Sequence, residues 1–414
     1  MMEYGLIGEK LGHSYSPMIH AHFGDYHYAL REIAPGELET FLRARAFKGI
    51  NITIPYKRAA MPLCARLSDA AREVGSVNTV LVQPDGTLYG HNTDMDGLIH
   101  MLGGAGIDPK GRKAAVLGSG GTSLTAQAAL RRLGAREIVV VSRGGPIDYH
   151  ALYMAHADVE ILINATPIGM YPNGYASPAM LDRLPKLVGV ADAVYNPERT
   201  MLIQDAQARG IPAVSGLAML VAQAREAAQL FSGRAISPTE DAAICAQIRA
   251  QTLNIVLVGM PGSGKSTIGE QLAGQMNRPF VDCDTQIVRK AGASIPEIFA
   301  AQGEVGFRAL ESEVIHEVCR KGGQIIATGG GAVLRDANVR AMRQNARVCF
   351  LQRPLQALPR DGRPLSASDD ALKALWDQRK EKYAAAADYE VVNTQTIATA
   401  VQKVQEGFYE AARH

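Results

Sequence analysis

Residues 254–276, NIVLVGMPGSGKSTIGEQLAGQM, pass from a β-rich apolar run through a glycine-rich turn into a helical pattern, and PFVDCD (279–284) follows as a second strand. Residues 113–134, KAAVLGSGGTSLTAQAALRRLG, follow the same order and lead into the strand EIVVVSR (137–143). A strand, a tight turn, a helix and a second strand make the opening of a parallel, doubly wound α/β sheet. Two such openings about 140 residues apart, with different turn chemistry, predict two distinct nucleotide-binding domains. At 414 residues the chain exceeds one ordinary core and suits two or three domains.

The bulk properties narrow the class of function. Apolar residues make up 47% and charged residues 20% of the chain, which predicts globular rather than disordered structure. A net charge of +2 implies no polyanionic partner, so no nucleic acid is expected. The five cysteines (64, 245, 283, 319 and 349) form no CxxC pair, which argues against a disulfide framework or a zinc site. MMEYGLIGEKLGHS lacks a basic segment followed by an apolar core, and no apolar run approaches the ~20 residues of a membrane span. The expected location is the cytoplasm, and no membrane partner is expected.

GMPGSGKS (259–266) satisfies G-x-x-x-x-G-K-[ST] between a strand and a helix. Gly262, Ser263 and Gly264 let backbone N–H groups converge on phosphate oxygens, and the following helix start adds a favourable dipole. Lys265 reaches the β/γ-phosphates, the Ser266 hydroxyl is a ligand for Mg²⁺, and Thr267 completes the ATP-binding loop. The loop names a nucleotide but no acceptor. VDCDTQIVRKAGASIPEIFAAQGEVGFRALESEVI, TGGGAVL (328–334), RPL (363–365) and QRKEKY (378–383) together resemble shikimate kinase, over essentially all of 253–414. The resemblance implies that Asp282 helps hold Mg²⁺ and that Asp284 bonds the shikimate hydroxyls, including the one that attacks. It further implies that Arg308 and Arg379 clamp the carboxylate, that the backbone at Gly330 closes over the ring, and that Arg363 on a lid meets the transferring phosphoryl group. Forked guanidinium donors suit a planar carboxylate, in agreement with those roles. The resemblance also implies Arg360 as an additional nucleotide contact, in a lid shorter than that of many members.

Eight motifs in residues 1–233 arrive in the order found in shikimate dehydrogenases, which this region resembles: LGHSYSPMIH, NITIPYK, GSVNT, GHNTD, GSGGTS, NATPIGM, VYNPERT and GLAMLVAQA. The resemblance implies Lys57 as general acid/base with Asp94 as its partner. It implies Ser14 and Ser16 on the substrate carboxylate, with Thr53, Asn78, Asn92, Tyr195 and Gln223 around the ring. It also implies a cofactor site of Gly118, Gly120, Gly121, Thr166, Met170 and Gly216. Arg143 stands at the end of the second strand, where an acid would favour NAD and an arginine accommodates a 2′-phosphate, so NADP(H) is expected. Only 20 residues separate Arg143 from Asn164, which makes the cofactor domain look trimmed. The histidines His13, His20, His22 and His27 receive no role.

The expected architecture is a substrate domain (1–101 with 216–235), a Rossmann-like NADP domain (102–215) entered through the turn-rich hinge 102–113, and a linker (236–252). A P-loop domain (253–414) of the nucleoside-monophosphate-kinase type completes it. The two resemblances rest on separate motifs and meet at one metabolite: reduction of 3-dehydroshikimate with NADPH, then phosphorylation of shikimate with MgATP, two steps of chorismate and aromatic amino acid biosynthesis. The nearer alternative is a quinate/shikimate dehydrogenase using NAD; the farther makes one half a non-catalytic binding module. The latter predicts a degraded catalytic set, whereas Lys57, Asp94, Lys265, Asp284 and Arg308 are all present.

Overall fold

A computed structural model describes residues 2–12, 14–358 and 369–413; Arg360, Arg363 and His13 lie outside the described residues. The chain divides into two compact units, residues 1–245 and 246–414.

The first unit holds two sheets. β1 (Tyr4–Gly8), β2 (Tyr28–Glu32), β3 (Gly49–Ile52), β4 (Arg66–Leu67), β5 (Thr79–Val82) and β6 (Leu88–His91) form a mixed sheet of order β2-β1-β3-β5-β6-β4. β7 (Lys113–Leu117), β8 (Glu137–Val141), β9 (Ile161–Asn164), β10 (Gly189–Asp192) and β11 (Ala213–Val214) form a parallel sheet of order β11-β10-β9-β7-β8. This is the doubly wound order without the strand that would flank β8, which accounts for the short connection after Arg143. β7 is buried at every position, as a parallel strand covered on both faces must be.

The helix Asp94–Gly104 joins the two sheets. Its Met95, Leu98, Met101 and Leu102 fall on one stripe and enter one apolar cluster with Ala114, Val116, Ala126 and Ile161. The hinge expected from residue 102 therefore starts later, because Leu102 completes that buried stripe and the helix runs on to Gly104. Leu217–Ser232 returns against this helix, and a Cβ at Gly97 would lie 2.8 Å from the Met219 carbonyl oxygen, so the two backbones cross closely there. The segment 236–252, expected as a linker, carries a 3-10 turn at Pro238–Glu240 and the helix Asp241–Thr252, whose Ile244, Cys245 and Ile248 are buried.

The second unit is a single parallel sheet of order β13-β14-β12-β15-β16, built from β12 (Asn254–Val258), β13 (Phe280–Asp282), β14 (Ile325–Ala327), β15 (Ala346–Gln352) and β16 (Tyr389–Val392). The central strand β12 feeds the phosphate loop and the helix Lys265–Met276. Residues 279–284 do not form one strand. The Asp282 side chain caps a new helix, Cys283–Ala291, by accepting from Thr285 N, which lifts Asp284 into a first helical turn. Among the described residues no helix is long and apolar enough to cross a membrane.

One buried histidine gives the first unit a pH dependence. His20 is 1% exposed, stacks on Tyr28 at 3.8 Å and pairs its Nδ1 with the Tyr26 hydroxyl. Burial pushes its pKa down to about 3, so it stays neutral in the fold. The unfolded chain binds a proton below about pH 6.5 that the folded chain refuses, so stability is present above that pH and is lost as pH falls toward 3. The loss is on the order of 3–5 kcal/mol. His20→Phe keeps a stacking ring without the proton, and melting temperature against pH should then fall less steeply between pH 6.5 and 4 than in the parent. Equal slopes would contradict the assignment.

Candidate active sites

In the first unit, Lys57 lies beyond β3 on a turn held by Tyr56 N–H to the Thr53 carbonyl (3.0 Å) and by Val77 N–H to the Lys57 carbonyl (3.0 Å). Asp94 opens the helix Asp94–Gly104, where the backbone dipole favours a carboxylate. Lys57 Nζ donates to Asp94 Oδ2 at 2.6 Å, with side chains 25% and 12% exposed: partly buried, yet reachable from solvent. Asn92 is fully buried and spends its amide locally: Oδ1 accepts from Asp94 N and Met95 N, and Nδ2 donates to Ser76. It fixes the helix start that presents Asp94, rather than presenting an open group itself. Asn78 bonds Thr93, and the Thr93 hydroxyl lies 3.4 Å from Gln223 Oε1, so those groups gather beside Asp94. Ser14 Oγ donates to Ser16 Oγ at 3.1 Å, and Thr53 lies half-buried beyond β3. Tyr195 packs its ring 5.5 Å from that of Tyr15, and burial raises its hydroxyl pKa.

The nucleotide turn follows β7. Gly118 has φ +105°, and a Cβ there would meet Ala165 O and the Thr166 methyl at 3.1 and 3.0 Å. Gly120 and Gly121 differ: a Cβ on either would have nothing within 4 Å, so these glycines leave open space above the helix Gly121–Arg132. That helix has no side-chain cap, which leaves its first N–H groups without a side-chain acceptor, a fit to a pyrophosphate. Arg143, two residues past the end of β8, is exposed, while Met170 is 46% exposed and Thr166 bonds Asn164 Oδ1 at 2.7 Å. Gly216 is required by packing, since a Cβ would fall 2.2 Å from Ala193 O. Asp192, which the motifs did not reveal, ends β10 fully buried. It receives hydrogen bonds from Asn164 (2.8 Å), Thr200 (2.7 Å) and Val194 N (3.0 Å), tying together the two loops that follow β9 and β10. Burial raises its pKa to about 6 against the pull of those donors.

In the second unit the phosphate loop is folded around its lysine. Lys265 Nζ, 8% exposed, donates to the carbonyls of Gly259 (2.9 Å) and Met260 (3.0 Å). Gly262 and Gly264 take φ +83° and +100°, the left-handed region that turns the backbone N–H groups inward. Asn393 and Arg353 brace the loop from outside by donating to the carbonyls of Ser263 and Gly262. Ser266 Oγ donates to Asp282 Oδ2 at 2.7 Å. One hydroxyl and one carboxylate beside a phosphate loop fit Mg²⁺, which takes few protein ligands and fills its shell with phosphate and water. No group of three or more His, Cys, Asp or Glu residues among the described residues offers an all-protein metal cage.

Around this loop stand Asp284, Arg308, Gly330 and Arg379. Asp284 has its pKa raised by burial and by Asp282, against the opposing pull of Lys265. A Cβ on Gly331 would lie 2.3–2.5 Å from the Arg308 guanidinium, so a side chain there would displace the guanidinium from its present position. Arg379, 5% exposed, and Tyr383, one helical turn later, both donate to the Gly330 carbonyl. Glu311, 1% exposed, accepts from Arg308 Nη1 at 2.8 Å and lies one helical turn from it, a spacing visible in FRALE but given no role. Among the described residues Ser263 Oγ, Glu311 Oε1 and Arg379 Nε are buried without hydrogen-bond partners, the condition of polar atoms that a bound polar ligand satisfies.

Known proteins of two families match separate stretches of the chain. The family model "Shikimate dehydrogenase substrate binding domain" matches residues 6–80 and "Shikimate kinase" matches 261–408. A shikimate dehydrogenase (NADP(+)) of Rubrobacter xylanophilus is 38% identical over 256 residues, 55% of this chain and 90% of that protein. A Thermus thermophilus shikimate 5-dehydrogenase in complex with NADP(H) and shikimate is 32% identical with a TM-score of 0.53, over 59% of this chain and 98% of that one. A chorismate mutase/shikimate 5-dehydrogenase fusion from Clostridium acetobutylicum is 34% identical with a TM-score of 0.55, over 59% of this chain and 95% of that one.

Proposed function

This chain belongs to the shikimate dehydrogenase family and continues into a shikimate kinase domain, and we propose that it carries a small acid through two consecutive reactions. The first unit reduces 3-dehydroshikimate to shikimate; the second phosphorylates shikimate to shikimate 3-phosphate. The observation that carries the reading is the Lys57–Asp94 pair at 2.6 Å in the unit ahead of a complete phosphate loop. In the domain division we propose, residues 1–101 with 216–235 hold the substrate, 102–215 the cofactor and 253–414 the kinase, in a cytoplasmic enzyme.

NADPH supplies the hydride when bound. As the ketone oxygen gains charge, the Lys57–Asp94 pair gives it a proton, and the carboxylate keeps the ammonium aimed at that oxygen. Ser14 and Ser16 hold the carboxylate end, while Thr53, Asn78, Tyr195 and Gln223 meet the rest of the ring. Gly120, Gly121 and the helix start behind them receive the pyrophosphate, and Arg143 receives the 2′-phosphate. In the kinase, Arg308 and Arg379 fix the carboxylate of shikimate. Asp284, whose raised pKa suits a proton acceptor, holds the attacking hydroxyl. Lys265 leaves its loop carbonyls for the β/γ-phosphates, and Ser266 with Asp282 steadies Mg²⁺.

Each half-reaction tests the reading separately: oxidation of NADPH on 3-dehydroshikimate without ATP, and formation of ADP on shikimate without NADPH. Failure of either removes that half. Cofactor choice has its own test. Arg143→Ala removes one charge-assisted contact, so KM for NADPH should rise about 10- to 100-fold while KM for NADH stays near its parent value. Equal changes for both cofactors, or a parent that prefers NADH, would point to the NAD-using quinate/shikimate alternative.

A further inference from the structure

Behind the dehydrogenase site, four hydrogen bonds run in one direction through buried side chains. The Tyr28 hydroxyl donates to Asn51 Oδ1 at 2.7 Å, and Asn51 Nδ2 donates to Thr79 Oγ1 at 3.0 Å. Thr79 Oγ1 donates to Asn78 Oδ1 at 3.0 Å, and Asn78 Nδ2 donates to Thr93 Oγ1 at 2.9 Å. Exposure along the row is 8% at Tyr28, 6% at Asn51, 0% at Thr79, 3% at Asn78 and 0% at Thr93, so water does not enter it. The row starts from a fixed donor. Tyr28 is stacked on the neutral ring of His20, and burial holds its hydroxyl in the protonated form.

This direction decides what Asn78 can offer. Its Oδ1 also accepts from Thr93 N at 2.8 Å, so both lone pairs are taken. One Nδ2 hydrogen is used on Thr93, which leaves the second Nδ2 hydrogen as the group available to a ligand. Turning the amide over would set a carbonyl oxygen where that donor is and leave two facing donors at Thr93 and Thr79 unmatched. Buried rows of this kind polarise one another and hold one orientation when complete.

We propose that Tyr28 and Asn51 are positioning residues for the reduction, fixing Asn78 as a hydrogen-bond donor toward a ring hydroxyl oxygen of the substrate. The proposal rests on the reading that Asn78 meets the substrate. Neither Tyr28 nor Asn51 touches Lys57 or Asp94, so their effect falls on recognition rather than on proton transfer.

The test compares kcat/KM for 3-dehydroshikimate with that for its two monodeoxy analogues, using the full chain. Tyr28→Phe keeps the stacked ring and deletes the first donor. Asn51→Asp offers Thr79 only acceptors, so the Thr79 hydroxyl turns away from Asn78. Tyr26→Phe removes a hydroxyl from the same aromatic cluster without touching the row. In Tyr28→Phe and Asn51→Asp, the preference for the hydroxylated substrate over one analogue should fall about ten-fold, the value of one hydrogen bond, chiefly through KM. Tyr26→Phe should keep the parent preference. Should Asn51→Asp not fold, Tyr28→Phe carries the test. A uniform loss on all substrates with the preference unchanged would overturn the proposal and leave these residues as packing. A parent without activity on 3-dehydroshikimate would instead overturn the reading of the site.

Discussion

Lys57→Met should lower the reduction of 3-dehydroshikimate by roughly a thousandfold, the range of a lost general acid, while phosphorylation of shikimate continues at the parent rate. The side chain is 25% exposed and its ammonium bonds Asp94 Oδ2 at 2.6 Å, so methionine fits the space but can neither donate nor balance the carboxylate. The loss should fall on kcat, because the carboxylate clamp at Ser14 and Ser16 and the ring contacts at Asn78 are untouched. Initial rates of both half-reactions on one preparation check it, with the kinase serving as the measure of intact protein. A variant that kept its reductase rate would remove Lys57 from the chemistry.

The reciprocal substitution, Lys265→Met, should lower phosphoryl transfer by roughly a thousandfold or more, since this reaction is catalysed by positioning and charge neutralisation. Lys265 now holds the carbonyls of Gly259 and Met260, at 2.9 and 3.0 Å, so its removal loosens the loop as well as removing a charge. Binding of ATP, measured by titration, should weaken alongside kcat, whereas oxidation of NADPH on 3-dehydroshikimate should be unchanged. A normal kinase rate would contradict the phosphate-loop assignment.

Contiguous motifs were legible in the sequence, and long-range pairs were not. GMPGSGKS carries its geometry within eight residues, so the strand, turn and helix follow directly. Lys57 and Asp94, 37 residues apart, were joined only by the resemblance; their contact needs β3 and the start of the helix Asp94–Gly104 brought side by side. The apolar start of PFVDCD predicts a strand through Asp284. The cap at Asp282 ends the strand and turns the chain into a helix two residues sooner. Glu311, Asp192 and the row from Tyr28 to Thr93 escaped notice for a common reason. Each is an ordinary polar residue on a helix or strand, and its meaning comes from burial against a partner on another element. Asn51 faces Thr79 only because β3 and β5 pair antiparallel in that register. The hinge at 102 and the linker at 236 were set by glycine, proline and cap signals, which mark turns but do not reveal that Leu102 and Ile248 are buried.

The most direct measurement is a coupled reaction of the purified chain with 3-dehydroshikimate, NADPH and MgATP, following NADPH, ADP and the phosphorylated product together. Two competent units should consume NADPH and form ADP in equal amounts at completion, with shikimate 3-phosphate as the end product. Lys57→Met should then form neither ADP nor product until shikimate is added, and Lys265→Met should stop with shikimate accumulated. Oxidation of NADPH with no phosphorylated product in the parent, or ADP formed from 3-dehydroshikimate without NADPH, would contradict the account of two consecutive enzymes.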